Sequence, residues 1–408
     1  MNKKNCINKI FSILLYIYSI TIFMFNGEEE NVKYIYVAYL TLLIFLFTNT
    51  IIKTKGLLYF NNSCKVMTIY FGFSLISIIW SPLYELTISR LFAFVLLLIL
   101  CILCNNYFDK KKMVNYLIGA LIIGGLFETI YCIKIYGIER LFYYILSGIR
   151  LEDIIINNVN TLSNTLVISI VATIATMLLK RKYYLLFILV PEMLVLMAFL
   201  SRTAIIALII SIFIIFSSYV RINKITRYPE YYLIMIMVTI FFLCFAYKLI
   251  LGDSGVVARF EDLFSFFMGQ GEGKAASLTT RSNFIMLGIQ EFFEFPVTGR
   301  GFGCAGYILL QNYGHMTYLH NNFIEILASG GIIGFVLYYS CYIHLIKKHI
   351  KQMKKRVSLV TTISFATLCC ELITQIGIVT YYSKVTWLAM ILWFVVAEYG
   401  TKYEYFDF

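Results

Sequence analysis

RSNFIMLGIQEFFEFPVTGRGFGCAGYILLQNYGHMTYLHNNFIEILASGGIIG, residues 281–334, is the stretch against which the rest of the chain is read. It holds two arginines, two histidines, a proline, a glycine cluster and an Asn pair. Most of the chain on either side is apolar enough to lie in a bilayer. Of the 408 residues, 60% are hydrophobic and only 14% charged. The mean hydropathy is +0.81. These values lie far from those of soluble domains. A helix crosses the hydrocarbon core with about 20 mostly apolar residues, and such runs recur along the chain. The composition predicts an all-α polytopic membrane protein and excludes a soluble domain. Its helices form a scaffold, and the quoted stretch carries the chemistry.

About twelve transmembrane helices are predicted, at 8–25, 34–52, 65–80, 90–105, 114–137, 157–179, 183–200, 203–220, 231–250, 331–347, 358–379 and 384–399. The first run follows Lys3 and Lys4 as in a signal peptide. It lacks a small-residue cleavage site, so it reads as a retained helix. With a cytoplasmic N-terminus, the alternate loops on the inner side hold 22 of the 34 Lys and Arg residues. Glu28, Glu29 and Glu30 stand in the first outer loop instead. The net charge of +12 is therefore topological, and no nucleic-acid partner is expected. The chain divides into helices one to nine over 1–250, an extracytoplasmic catalytic loop over 251–330 with short interfacial helices, and three final helices with a cytoplasmic tail over 331–408. The ten cysteines show no metal-binding spacing and read as small buried hydrophobes.

This orientation gathers the residues of chemical interest on the outer face, where a reaction needs an already activated substrate. Trp80-Ser81-Pro82 ends the third span and Arg90 opens the fourth. Snorkelling to headgroups and substrate binding both account for Arg90. Asn157, Asn158 and Asn160 stand where the sixth span begins, as caps or as substrate contacts. Ser201-Arg202-Thr203 forms a tight hairpin between two spans, at a place where Gly, Asn or Pro would suit a simple turn. Arg202 is therefore a candidate for function. The polar stretch 252–280 contributes Arg259 as a candidate substrate contact, and Gly269 to Gly273 read as a flexible turn.

Arg281 to Phe293 predicts a helix that Pro296 ends, lying along the membrane surface on residues 284, 285, 289, 292 and 293. Arg281 in its first turn suits a bound phosphate, because a cation there opposes the helix dipole unless an anion arrives. Gly299-Arg300-Gly301-Phe302-Gly303 serves either as loop punctuation or as a close approach to ligand, with Arg300 a further candidate contact. Asn322 reads as an N-cap with Glu325 completing a capping box, and Gly330-Gly331 break that short helix from the next span. His320, just before the cap, suits a general base held neutral by the helix N-terminus. Asn321 beside it is a candidate substrate contact. His315 has no such context.

The run Arg281…Pro296-x-x-Gly299-x-Gly301…His320-Asn321…Glu325…Gly331-x-x-Gly334 resembles the O-antigen ligase and O-antigen polymerase superfamily. Ser201-Arg202 and Trp80-Ser81…Arg90 resemble that pattern too. The resemblance implies a membrane-embedded glycosyltransferase of the C type, in the bacterial cytoplasmic membrane, with its active site facing the periplasm or cell exterior. Its donors would be glycans on undecaprenyl diphosphate, and its reaction inverting and metal-independent, with no cofactor. By position, Arg202 and Arg281 would bind the diphosphate and His320 would activate the acceptor hydroxyl. Elementary chemistry agrees: a diphosphate leaving group needs charge neutralisation, which guanidinium groups supply. Polymerisation of an O-antigen or capsular polysaccharide is the leading expectation, and ligation to lipid A–core is the alternative. A transporter or flippase is less favoured, because the spans carry few charges beyond Glu128, Glu192 and Glu371 and show no repeat. Expected partners are lipid-linked oligosaccharides, membrane lipids and a chain-length regulator.

Overall fold

A computed structural model describes residues 3–25, 30–54, 57–147, 151, 158–223 and 276–400. The regular structure among them is all helical: α1 (Lys3–Met24), α2 (Val32–Thr54), α3 (Asn62–Ile76), α4 (Tyr84–Asn105), α5 (Lys110–Tyr136), α6 (Ile138–Ser147), α7 (Val159–Lys180), α8 (Leu186–Phe199), α9 (Arg202–Asn223), α10 (Ala276–Glu294), α11 (Tyr307–Tyr313), α12 (Asn322–Lys355), α13 (Leu359–Thr374) and α14 (Lys384–Tyr399). The predicted span 231–250, Asn157, Arg259 and the Gly269–Gly273 turn lie outside the described residues. Every other predicted span falls on a helix. Among the described helices, 8 are long and apolar enough to cross a membrane, and those at Tyr183–Phe199 and Leu359–Thr374 are shorter apolar ones.

Two helices sit at the centre. α7, VNTLSNTLVISIVATIATMLLK, is buried along almost its whole length among α5, α8, α9 and α13. Its Ser, Thr and Ala residues let neighbouring backbones come close, the packing mode that works where lipid offers no hydrophobic driving force. α14 is buried from Val385 to Ala397 and carries Trp387 and Trp393 into the core. The outside is greasy instead: Phe187 is 85% exposed and Phe213 71%. Large apolar side chains on the surface suit a lipid solvent.

Glu128, Glu192 and Glu371 face inward and are at most 1% exposed. Each accepts a hydroxyl hydrogen bond from a neighbouring helix: Thr165 to Glu128 (2.6 Å), Ser169 to Glu192 (2.7 Å) and Thr386 to Glu371 (3.0 Å). These contacts cross-link helices in a medium without water.

Helix ends depart from the sequence reading where polar residues continue a helix beyond the hydrocarbon. The tenth predicted span is the inner part of a longer helix, α12, which is kinked at Gly331 (φ 59, ψ −163). That kink is the break expected at Gly330-Gly331. α6 is a short amphipathic helix that hydropathy alone did not mark.

The N-termini of α4, α7, α9, α12 and α14 gather at one end of the bundle, together with α10 and α11. The opposite end carries the Lys- and Arg-rich segments. These are called the site end and the basic end below.

Candidate active site at one end of the bundle

The glycine motifs build the floor of the site. Residues 296–301 pair with the kink of α12: Arg300 N–H donates to the Ala328 carbonyl (3.0 Å), Gly301 N–H to Ser329 (2.9 Å), and Ile332 N–H to Pro296 (2.9 Å). A Cβ at Gly299 would strike the backbone of residues 329–331, and one at Gly331 would strike Val297 and Gly299. Both glycines also have positive φ, 66° and 59°. Two backbones thus lie against each other where only glycine fits. The corner between α3 and α4 holds the far side of this loop. Trp80 Nε1 donates to the Gly299 carbonyl (3.1 Å), Phe302 N–H to Ser77 Oγ (3.0 Å), and Thr87 Oγ1 to the Phe302 carbonyl (3.0 Å). Gly303, at φ 76, leaves room for the Arg90 side chain, which a Cβ there would strike.

Arg90 therefore sits against the loop rather than out among headgroups. Its guanidinium lies over the Tyr382 ring, 4.6 Å from the centroid, and Glu325 and Tyr381 act on it electrostatically. Burial raises the phenols of Tyr381 and Tyr382 above the ordinary tyrosine value, so both remain neutral hydrogen-bonding groups beside the cation.

The start of α12 differs by one residue from the sequence reading. Asn321, not Asn322, is the N-cap, and its side chain accepts from Phe323 N–H (2.9 Å) and Ile324 N–H (3.1 Å). Its amide also donates to the Ile376 carbonyl (3.2 Å). Asn322 is fully buried and ties α12 to the segment after α13, accepting from the N–H groups of Thr380 (2.9 Å) and Tyr381 (3.2 Å). Glu325 makes no capping box; its carboxylate accepts from Leu319 N–H (2.9 Å). The reason is His320, whose φ of 56° turns the chain so that Leu319 N–H reaches Glu325. A non-glycine residue in the left-handed region costs about 1–2 kcal/mol, and such strain concentrates at functional sites.

The half-buried His320 ring lies 4.3 Å from the Tyr318 ring and stacks on Phe284 at 6.0 Å. Asn158, the N-cap of α7, donates to the Tyr318 hydroxyl (2.7 Å). Asn160, 8% exposed in the first turn of α7, stands beside that contact. Phe284 belongs to α10, and Arg281 lies one turn before it on the same face. α10 starts at Ala276, however, so Arg281 stands in its second turn. The helix continues back through Thr279 and Thr280, ahead of the expected start at Arg281. Support from a helix N-terminus therefore does not apply to Arg281. The face of α10 packed against the protein runs through Phe284, Gly288 and Glu291, and Phe293, on the expected greasy face, is 72% exposed. Gly288 allows this close crossing, since a Cβ there would strike Leu319 and Ile324 at 2.6 Å. Arg202 opens α9 next to Thr203, which packs on Gly377; Ile376, the neighbour of Gly377, is bound by Asn321. The start of α7, the face of α10 and residues 376–377 thus meet around Tyr318, His320 and Asn321, and Thr203 ties the start of α9 to Gly377.

Residues 183–339 match the O-antigen ligase family.

The resemblance read in the motifs holds over that stretch, which includes Arg202, Arg281, Gly299, Gly301, His320, Asn321 and Glu325. The match supports an O-antigen ligase- or polymerase-type activity in a multi-pass membrane protein. No curated protein matches the chain. Arg90 and Asn160 lie outside the O-antigen ligase stretch in sequence, and the fold brings them to it.

Arg300 has a structural task. Its guanidinium pairs with the fully buried Glu291, reaches Glu294 at 3.7 Å and stacks on Phe295 and Tyr307. Burial pushes the Glu291 carboxyl above the ordinary carboxylate value even with Arg300 beside it. The pair fastens the end of α10 to the glycine loop. Tyr318 and Tyr382 were not singled out in the sequence, and Phe284 was read only as part of an apolar helix face. The available signals were aromatic residues two before His320 and just before the last span.

Proposed function

We propose that the protein polymerises a surface polysaccharide, an O-antigen or a capsule, from lipid-linked repeat units. The observation that carries this reading is His320, strained into a left-handed backbone directly before the α12 N-cap, with Arg281 one turn before the His320 stacking partner Phe284 on α10 and Arg202 opening α9. The acceptor sugar hydroxyl attacks the anomeric carbon of the donor from the face opposite its diphosphate. A new C–O glycosidic bond forms as the old C–O bond to phosphate breaks, and its electron pair leaves with the diphosphate. The acceptor proton passes to His320. Arg281 and Arg202 neutralise the charge that develops on the leaving diphosphate, while Arg90, Asn160 and Asn321 border the sugar-binding space. Undecaprenyl diphosphate is the donor carrier, and the site faces the periplasm or cell exterior from the bacterial cytoplasmic membrane. A chain-length regulator is the expected protein partner.

Ligation of a finished chain to lipid A–core is the second reading, favoured by the description of the matched family. Purified protein given one lipid-linked repeat unit as both donor and acceptor tests the two. A ladder of products identifies a polymerase. Product only after addition of lipid A–core identifies a ligase. No transfer with either acceptor contradicts both.

A further inference from the structure

At the basic end of the bundle, the C-termini of α7, α9 and α12 meet the N-terminus of α13. Between them lies a cavity of about 890 Å³. Lys180, Arg181, Lys182, Arg221, Lys355 and Arg356 line it, with no Asp or Glu among its described lining residues. Apart from Ser358, the rest of the wall is apolar, with Leu179, Met353 and Leu359 among it.

Membrane topology asks only that positive residues lie on one side. It does not ask that six of them, from the C-terminal ends of three helices and the residues just after them, surround one recess. Two like charges 4 Å apart repel by about 1 kcal/mol even in water, and more beside an apolar wall. Arg221 is also held in place, because its guanidinium donates to the Met353 carbonyl (3.3 Å) at the end of α12. The N-terminus of α13, capped by Ser358, adds its positive dipole end to the same field. An anion with an apolar body complements both kinds of wall, and basic pockets between membrane helices are suited to phosphate headgroups.

We propose that this cavity binds the phosphate headgroup of an anionic phospholipid from the adjacent leaflet, with acyl chain against the apolar wall. The inference stands apart from the glycosyl-transfer reading. The bound lipid joins α7, α9, α12 and α13 at the ends opposite Asn160, Arg202, Asn321 and Gln375, and so braces the helices that shape the site.

The test uses the full chain purified in neutral detergent, with thermal unfolding followed during titration. The probes are phosphatidylglycerol, phosphatidylcholine and inorganic phosphate. The variant Lys182→Gln/Lys355→Gln removes two exposed cations from the cavity. Lys351→Gln/Lys354→Gln removes equal charge nearby but outside it. Wild type and the second variant should be stabilised by phosphatidylglycerol alone. The first should need roughly thirtyfold more for the same shift, the scale set by two cations near an anionic leaflet. Should the double variant not fold, Lys182→Gln alone should still weaken the response about fivefold. Equal weakening in the two double variants would show only diffuse surface charge and overturn the site. An equal shift with inorganic phosphate or with phosphatidylcholine would overturn the phospholipid assignment.

Discussion

The two ends of the bundle are both polar, but they use polarity differently. At the basic end, several buried polar groups are tied to partners that fix the fold. Tyr107 donates to Asn8 (2.7 Å), Asn8 to Asp109 (3.0 Å), and Gln352 to the Val396 carbonyl (2.8 Å). His349, fully buried, is spanned by the Leu345 carbonyl (2.8 Å) and the Ser364 hydroxyl (2.7 Å). At the site end, by contrast, the backbone is bent into conformations that the sequence must tolerate, at Gly299, Gly331 and His320. Arg181 at the basic end and Leu200 are left-handed too, but as the C-caps of α7 and α8, a common helix ending, whereas His320 ends no helix and Gly299 and Gly331 are each crossed by a second backbone.

The largest effect that would sharpen this contrast comes from the glycines. Gly331→Ala forces a Cβ into the Val297 carbonyl at a φ/ψ that suits glycine almost alone. The cost is on the order of 3 kcal/mol or more from strain and collision together, so little folded protein should accumulate, as read by size-exclusion chromatography. Gly137 also has positive φ (78°), but nothing lies within 4 Å of a Cβ there. Gly137→Ala, at φ 78 and ψ 144, should therefore carry the backbone strain without the collision, about 1–3 kcal/mol. Equal damage from the two would remove the close-approach argument.

Next in size is Arg281. Losing a charge-assisted contact to a developing charge costs about 3 kcal/mol, a hundredfold in rate. Arg281→Ala should show that loss at normal protein level, and Arg281→Lys should rescue poorly because it lacks the planar fork. Wild-type turnover in Arg281→Ala would remove it from the site. Arg300→Gln should do the opposite, lowering stability by about 1–3 kcal/mol while sparing turnover per folded molecule. A turnover loss as large as that of Arg281→Ala would return Arg300 to substrate binding. Smallest is labelling of single cysteines in intact cells: Asn312→Cys, on the exposed end of α11, should react and Lys354→Cys should not. The reverse pattern would exchange the two faces.

Much of the scaffold was legible because a bilayer leaves few options: apolar runs of sufficient length become helices, and basic loops orient them. The site was legible as a set of residue types, since His320, Arg281, Arg202 and the glycines are out of place in a greasy chain. Its wiring was not. Which of two consecutive asparagines caps α12 depends on the left-handed turn at His320, a tertiary outcome. The pairing of Arg300 with Glu291 crosses the turn after α10, and no helical spacing marks it. Arg90 meets Tyr382 from a position about three hundred residues earlier in the chain. The roles of Gly299 and Gly331 appear only once the two backbones lie together.

The most direct test sets His320 against His349 in purified protein with lipid-linked substrate. The Leu345 carbonyl can only accept, so His349 carries its proton on Nδ1 and accepts from Ser364, a structural role. His349→Gln should lower stability and leave turnover per folded molecule near wild type. His320→Gln keeps hydrogen-bonding capacity but cannot take a proton at neutral pH. It should fold, bind the lipid-linked donor, and turn over roughly a hundred- to ten-thousandfold more slowly. If His320→Gln folds and transfers sugar at near the wild-type rate, His320 is not the base and the site end has been misread.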